Sequence, residues 1–215
     1  MTPKITISIG RQFGSGGRIL GSVIANRFNM KFYDREIITE AAKQSGFDEK
    51  LLTQKDEKPV SSTFFSDPQH LISGSETALS DENIFKIQSQ AIRNVASQNN
   101  CVIMGRCSDY VLRDYPYCIS IFFWSPMDDR IKRVCERAGV SDKEKARQII
   151  EKEDSMRAKY YNYFTGKTWG EAKSYNLCID VSLLGLERTA DFVCKLLKTK
   201  FGDLLTDKFS LYRNK

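Results

Sequence analysis

KITISIGRQFGSGGRI, residues 4–19, decides the fold of this chain, because an alternating apolar segment runs directly into a glycine cluster that opens a helical pattern. Small residues let the backbone N–H groups of such a turn converge on an anion. The helix that follows presents its positive end to the same point. The stretch therefore predicts a phosphate-binding loop between a buried strand and a helix.

This loop departs from the standard phosphate-binding pattern of Gly, four residues, Gly, Lys and then Ser or Thr. If Gly16 is the second glycine, Gly17 stands at the lysine and Arg18 at the hydroxyl position. If Gly17 is the second glycine, Arg18 stands at the lysine and Ile19 at the hydroxyl position. In both registers the magnesium-binding hydroxyl is missing, and the lysine is missing or replaced.

The amino-acid composition limits which classes of protein are possible. The 215 residues are 41% hydrophobic and 28% charged with a net charge of +6, which is typical of one α/β domain with an appended subdomain. The mild positive excess fits phosphorylated ligands. Because the basic residues are dispersed, we expect no nucleic-acid partner. The six cysteines form no CxxC pair and His70 is the single histidine, so we expect reduced thiols and no zinc site.

The N-terminus has no signal-like segment, and no apolar stretch approaches the roughly 20 residues of a membrane span. We therefore expect a cytoplasmic protein without a membrane partner.

Strand and helix patterns alternate along the chain. Apolar runs predict strands at residues 4–9, 31–34, 101–104, 117–124 and 176–181. Helical patterns cover residues 18–28, 35–45, 83–98, 126–138, 141–163 and 187–200, the fifth as one long helix or a helix pair. Residues 47–82 lack periodicity and indicate a mobile or inserted segment. The alternation predicts an α/β fold with a parallel sheet of about five strands and a ligand at their carboxyl ends.

Two polar clusters directly follow predicted strands. Arg106 and Asp109, in GRCSD (105–109), could bind phosphate or a base edge, or Ser108 or Asp109 could instead cap a helix. In FYDRE (32–36), Asp34 and Arg35 take the equivalent position, and Asp34 could likewise be only a helix cap.

The predicted helices at 126–138 and 141–163 carry several charged residues. These are Arg130, Arg133, Arg137, Lys152, Asp154 and Arg157. Mobile cations of this kind are what phosphoryl transfer needs, because the transferred group spreads negative charge over its oxygens. The alternative is a solvated helix face held by pairs such as Asp129 with Arg133 or Glu153 with Arg157.

The order of GSGGRI, FYDREII, GRCSDYV and EKEDSMRAKYY resembles the cytidylate kinase-like family of bacterial proteins, relatives of the P-loop nucleoside monophosphate kinases, over residues 4 to about 197. The resemblance implies a three-layer P-loop kinase-like fold in one domain over residues 1–200. Its core would comprise 1–34, 83–138 and 175–200, with a helical acceptor-binding insert at about 35–82 and a lid at about 139–165. A tail at 201–215 would pack on the body or on the partner of a possible homodimer.

The resemblance also implies transfer of the ATP γ-phosphoryl group to CMP or dCMP, with ATP and Mg²⁺ as cofactors and small-molecule nucleotides as partners. It implies catalytic roles for Arg18, Arg133 and Arg157, with Arg18 or a folded-back Arg11 replacing the lysine. The phosphate and ATP site would comprise Arg11, Gly14, Ser15, Gly16, Gly17, Arg18 and Ile19, with Ser15 as a magnesium ligand. Acceptor binding would fall to Asp34, Arg35, Arg106, Asp109 and Asp154, and lid contacts to Arg130, Arg137 and Lys152.

Two rival functions follow from the substitutions at Gly17 and Ile19 and from the unassigned 47–82 segment. One is a nucleotide-binding or sensing module that no longer transfers phosphate. The other is a kinase for another small phosphate-bearing or hydroxyl-bearing acceptor.

Overall fold

A five-stranded parallel sheet forms the centre of the computed structural model, which describes residues 3–46, 49–54, 80–139 and 142–206. In chain order the strands are β1 (Thr6–Arg11), β2 (Lys31–Tyr33), β3 (Cys101–Met104), β4 (Cys118–Trp124) and β5 (Leu177–Asp180). Their order across the sheet is β2-β3-β1-β4-β5, and every neighbouring pair is parallel. The predicted α/β sheet is confirmed, and β1 is its central strand.

Helices connect these strands. Those of the described residues are α1 (Gly17–Arg27), α2 (Glu36–Ser45), α3 (Glu49–Gln54), α4 (Asp81–Gln98), α5 (Ser108–Val111), α6 (Met127–Ala138), α7 (Lys143–Thr165) and α8 (Gly185–Phe201). The predicted helix stops at Gly46 and Gly139 are confirmed, since both residues adopt the left-handed conformation with φ of 74° and 63°. The long charged segment forms one helix, α7, whose N-cap Asp142 accepts a hydrogen bond from the Glu144 N–H at 2.9 Å.

The core lies on both faces of the sheet, because alternate strand residues point to opposite sides. On one face Ile5, directly before β1, and Ile7 and Ile9 of β1 pack against α1 and α8. On the other face Cys101 and Ile103 of β3 pack against α2, α4 and α5. Full burial of each large apolar side chain is worth roughly 1.5–3 kcal/mol. Two helical layers around the sheet give the predicted three-layer arrangement.

Helix α7 is attached to the body through its carboxyl-terminal half, which belongs to the predicted lid. The Tyr160 hydroxyl donates to Gln88 Oε1 of α4 at 3.0 Å, and the rings of Phe85 and Phe164 stack at 4.3 Å. The amino-terminal half packs instead on α6, where Ile150 lies against Ile131. The boundaries of lid, insert and core stay predictions.

The described part of the C-terminal tail packs on the body. Leu205 is buried in the same cluster as α8, and its carbonyl accepts a hydrogen bond from Lys198 Nζ at 2.5 Å. Residues 207–215, most of the 47–82 segment and His70 lie outside the described residues. All six cysteines are free thiols. Among the described helices, none combines the length and apolar composition needed to cross a membrane.

Candidate active site

The glycine loop lies at the carboxyl end of the central strand, between β1 and α1. Gly14 and Gly16 adopt φ of 78° and 90°, which side chains other than glycine rarely tolerate, and Gly16 is the N-cap of α1. A Cβ at Gly14 would lie 3.1 Å from the Arg130 carbonyl oxygen. The backbone N–H groups at the start of α1 therefore lie where an anion would be bound.

The carboxylate of Asp154 holds this loop to α6 and α7. Asp154 Oδ1 accepts the backbone N–H of Phe13 at 2.7 Å, and Oδ2 forms an ion pair with Arg130. Arg133 donates to the Gly14 carbonyl at 2.5 Å. Three of the charged helix residues thus contact the loop or its anchor, and the expected contact of Asp154 with the acceptor stays a prediction.

Ser15 is the residue expected to bind magnesium. Its hydroxyl donates to the Gln12 carbonyl at 2.9 Å and accepts the Gly17 N–H at 3.3 Å, and the residue is fully buried. Ile19, at the position of the usual hydroxyl ligand, is 39% exposed and offers no oxygen. Within the described residues no group of three His, Cys, Asp or Glu residues could hold a metal ion. The expected role of Ser15 as a magnesium ligand stays a prediction.

The two predicted lysine replacements differ in their surroundings. Arg18 extends from α1 toward β2, where its Nε lies 2.7 Å from Asp34 Oδ2 and its side chain is 57% exposed. Arg11 ends β1 beside Gly17, and a Cβ at Gly17 would lie 2.7 Å from Arg11 Cβ.

The turn after β3 is strained and carries a buried arginine. Arg106 and Cys107 both have positive φ, 53° and 55°, which is uncommon for residues other than glycine. This conformation directs the Arg106 guanidinium back to the carbonyls of Met104, at 3.1 Å, and Asp34. Its Nη1 lies 3.9 Å from the Asp34 carboxylate. Asp34 therefore lies between Arg18 and Arg106, which connects the ends of β2 and β3 to α1.

Asp34 and the GRCSD turn were also expected as possible helix caps. The structure gives the N-cap of α2 to Arg35 and that of α5 to Cys107, neither with a side-chain cap hydrogen bond. The short helix α5 itself was not predicted, because four residues give no periodicity.

A narrow cleft with a cavity volume of about 20 Å³ lies beside the loop at the carboxyl ends of β1 and β3. Residues from β1, from the predicted GRCSD cluster, from α7 and from the segment before β5 line it, and none from FYDRE: Ser8, Gly10, Arg11, Gly105, Arg106, Asp109, Arg157, Tyr160, Tyr161, Trp169 and Tyr175. The lining thus combines three arginines and one aspartate with four aromatic residues, which form an aromatic wall. A cavity of this volume holds about one water molecule, so a nucleotide would enter only after the side chains move apart. The aromatic wall could then cover a flat ring while the cations hold an anionic group.

Asp109 is the acidic group of the cleft. Its Oδ2 accepts a hydrogen bond from the Tyr161 hydroxyl at 2.7 Å. Burial raises the pKa of the Asp109 carboxyl, although the Tyr161 hydrogen bond and the charge of Lys167 oppose this. The Tyr161 pKa is also raised, first by burial and then by the neighbouring Asp109 charge.

The remaining predicted residues lie outside the cleft lining. Arg35, Arg137 and Lys152 are exposed. One of the ion pairs expected for a solvated helix face is present, since Arg157 Nη2 lies 3.7 Å from Glu153 Oε2. Arg157 nevertheless also donates to the Arg11 carbonyl at 3.3 Å and lines the cleft.

Two of the four residues of the aromatic wall were not predicted from the sequence. Tyr160 and Tyr161 end the motif EKEDSMRAKYY, whereas Trp169 and Tyr175 were not singled out. The sequence indicated Tyr175 only through its position, because this residue shortly precedes the last strand. The stacking of Tyr161 on Tyr175, with ring centroids 5.7 Å apart, joins segments that spacing alone cannot connect.

Comparisons with known proteins agree with this arrangement. The sequence model of the cytidylate kinase-like family matches residues 6–183. The cytidylate kinase of Sulfolobus acidocaldarius is 28% identical over 115 residues, a match that spans 54% of this chain and 62% of that enzyme's length. Because this relative is archaeal, the bacterial origin of the chain stays a prediction.

Solved structures show the same fold. A crystal structure of an uncharacterized protein from Eubacterium ventriosum superposes with a TM-score of 0.70 at 29% identity, covering 91% of this chain and 99% of that one. Shikimate kinase from Bacteroides thetaiotaomicron superposes with a TM-score of 0.52 at 13% identity, covering 92% and 98%. The second likeness shows the fold alone.

Proposed function

The chain belongs to the cytidylate kinase-like family, and from this membership and its cleft we propose that it transfers the γ-phosphoryl group of ATP to a nucleoside monophosphate, CMP or dCMP being the preferred acceptors. One observation carries the proposal. Gly10 and Arg11, at the end of β1, lead directly into the glycine loop and also line the cleft. A donor on the loop and an acceptor in the cleft would therefore meet at the end of the central strand.

The chemistry asks little of these residues beyond position and charge. The phosphate of a nucleoside monophosphate is already anionic and nucleophilic, so no strong base is needed. The guanidinium group of Arg157 would hold that phosphate, with Arg106 contributing through the N–H groups other than Nη1, while Tyr161 and Tyr175 would cover the base. Alignment by such groups can supply a large part of the rate enhancement, because it removes the entropic cost of bringing two substrates together.

The assignment of CMP rests on the similarity to the Sulfolobus acidocaldarius enzyme named cytidylate kinase. Asp109 would serve as the group that reads the base, since a buried carboxyl can bind an exocyclic amino group. ATP would arrive as its magnesium complex, so the ion would belong to the substrate. A cytoplasmic location, where both nucleotides occur, is part of the proposal, and assembly as a homodimer stays a prediction.

The test is acceptor-dependent formation of ADP. Purified protein with ATP and magnesium is given CMP, dCMP, UMP, AMP or GMP in turn, and ADP and the new diphosphate are measured by chromatography. We expect turnover that is fastest with CMP or dCMP and falls about 10²-fold or more in Arg157→Gln. Arg113→Gln, in the turn before β4 at the opposite end of the sheet, is the matched control for loss of one arginine. Binding of ATP without any acceptor-dependent ADP would instead favour the sensing module suggested by Gly17 and Ile19.

A kinase for a hydroxyl-bearing acceptor is the second candidate, and Asp109 favours it. A hydroxyl must lose its proton during transfer, and a buried carboxyl with a raised pKa can accept that proton. Under this candidate Asp109→Asn removes transfer to the hydroxyl acceptor. Under the first candidate the same substitution changes base preference and leaves transfer chemistry largely intact.

A further inference from the structure

We propose that Arg11, the last residue of β1, replaces the lysine of the phosphate-binding loop and binds the phosphates of the donor nucleotide, and that Gly17 has no side chain because Arg11 occupies that space. The inference rests on the proposed phosphoryl transfer and names the residue that neutralises the donor. It also decides between the two arginines that the sequence left as alternatives.

The space beside Gly17 carries the argument. A Cβ at Gly17 would lie 2.7 Å from Arg11 Cβ, 3.2 Å from Phe123 Cβ and 3.4 Å from Arg11 Cγ, so only the approach to Arg11 is prohibitive. Real Cβ atoms essentially never approach other atoms within 3.0 Å. Arg11 Cβ is fixed by the backbone of the central strand, so a change of rotamer cannot move it away. A side chain at position 17 and the side chain of Arg11 therefore exclude each other.

Arg11 starts from the correct place for a phosphate ligand. Its Cα ends β1 beside Gly17, the first residue of α1, and Arg11 is one of the residues that line the cleft together with Arg106 and Arg157. The Arg11 carbonyl accepts a hydrogen bond from Arg157 at 3.3 Å, which fixes the two residues relative to each other. Residue 11 thus lies between the glycine loop, the proposed donor site, and the proposed acceptor cleft. The Arg11 guanidinium can bind two phosphate oxygens through its planar fork.

Arg18 is directed elsewhere. Its Nε forms an ion pair with Asp34 Oδ2 at 2.7 Å on the β2 side of α1. Asp34 is only 14% exposed and also faces the buried Arg106. Moving Arg18 to the donor phosphates would break this pair and leave Asp34 with one cation fewer. The ion pair of Arg18 thus indicates a role in joining α1 to β2, and the place of Arg11 beside Gly17 and the cleft favours Arg11 for the phosphate role.

A swap of side chains tests this division. The variants are Arg11→Gln, which keeps a long polar side chain without charge, Arg11→Gly, and the double variant Arg11→Gly/Gly17→Lys, which restores the standard lysine in the vacated space. Arg18→Gln is the comparison within the loop, and Arg113→Gln is the remote charge control. Each is measured for ATP affinity by calorimetry, for acceptor-dependent ADP formation, and for thermal unfolding.

We expect Arg11→Gln to lower kcat/KM by about 10²–10³-fold, the range for removing one preorganised donor from developing charge. ATP affinity should fall at least about tenfold, since hydrogen bonds to charged groups are worth about 1.5–3 kcal/mol. The double variant should recover at least about tenfold in kcat/KM over Arg11→Gly. Gly17→Lys in the wild-type background should lower the melting temperature, because both side chains then compete for one space.

Several results would overturn the inference. If the wild-type protein transfers phosphate and Arg11→Gln stays within about threefold of it, Arg11 is not the donor cation. If Arg18→Gln loses more than Arg11→Gln, Arg18 holds that role. If no acceptor supports turnover in the wild-type protein, the proposed function fails, but ATP affinity still tests Arg11. If the double variant does not fold, the comparison of Arg11→Gln with Arg18→Gln in ATP binding decides.

Discussion

Removal of the Asp154 carboxylate should destabilise the protein strongly, because it leaves a buried arginine without its ion-pair partner. The side chains of Arg130 and Asp154 are only 7% and 15% exposed. Breaking a buried ion pair by removing one partner typically costs about 3–5 kcal/mol. Asp154→Ala also removes the acceptor of the Phe13 N–H. For a chain of this size 1 kcal/mol shifts the melting temperature by about 2–4 °C, so a loss of about 6–20 °C is expected.

Matched variants separate the contribution of the Arg130 ion pair from that of the Phe13 hydrogen bond. Asp154→Asn keeps an acceptor for Phe13 but not the charge, and should cost about 1.5–3 kcal/mol, as for a hydrogen bond to a charged group. Arg130→Met/Asp154→Leu removes both charges at similar volume and should recover most of the loss of Asp154→Ala. Glu40→Ala breaks the exposed pair with Lys43, whose side chains are 32% and 65% exposed, and should cost less than about 1 kcal/mol.

The assay is urea denaturation followed by circular dichroism, with melting curves in parallel. The reasoning is refuted if Asp154→Ala costs less than about 1 kcal/mol. It is also refuted if the double variant is no more stable than Asp154→Ala, because the loss then does not come from an unpaired buried charge. ATP affinity of Asp154→Asn gives an independent readout, since the anchored loop is the proposed donor site.

Three further predictions concern single side chains. Burial raises the Asp109 pKa above its ordinary 3.8, so the folded state loses stability as the pH rises from 3.8 through the raised value. Asp109→Asn should therefore have a higher melting temperature than wild type between pH 4 and pH 8. This difference should disappear at the acid end. Burial raises the Cys101 pKa to about 11, so iodoacetamide at pH 8 should modify Cys101 only after denaturation. Half-buried Cys135 should react in the folded protein, and peptide mass spectrometry distinguishes the two sites. Leu20→Ala, at a fully buried position of α1, should cost about 2–5 kcal/mol in urea denaturation, and a cost below about 1 kcal/mol would contradict the packing described here.

The sheet could be predicted from the sequence because its signals are local. ITISI, CVIM and CISIFFW are continuous or alternating apolar runs, and each is buried as a strand within a residue or two of the predicted bounds. Strand ends then placed Arg106 and Asp109 correctly, since side chains that follow parallel strands meet at one edge. Helix ends at Gly46 and Gly139 were predictable for the same local reason.

The site was less predictable because its decisive contacts join distant segments. Tyr161 meets Asp109, and Phe13 meets Asp154, across helices whose packing angles no spacing rule gives. The sequence pattern could place a cation-rich helix beside the loop. It could not show that the carboxylate of Asp154 lies on the loop backbone, or that Trp169 reaches the cleft.

The choice between Arg11 and Arg18 shows which physical quantity was missing from the sequence. Both residues flank the glycines at sequence distances compatible with a phosphate ligand, so their charge and spacing do not distinguish them. Two tertiary facts separate them: the 2.7 Å approach of Arg11 Cβ to the place of a Gly17 Cβ, and the ion pair that holds Arg18 on Asp34. The first makes glycine at the lysine position a consequence of arginine at the end of β1. The departure from the standard loop is then one coupled exchange of two residues, and restoring lysine at position 17 should succeed only where Arg11 has been removed.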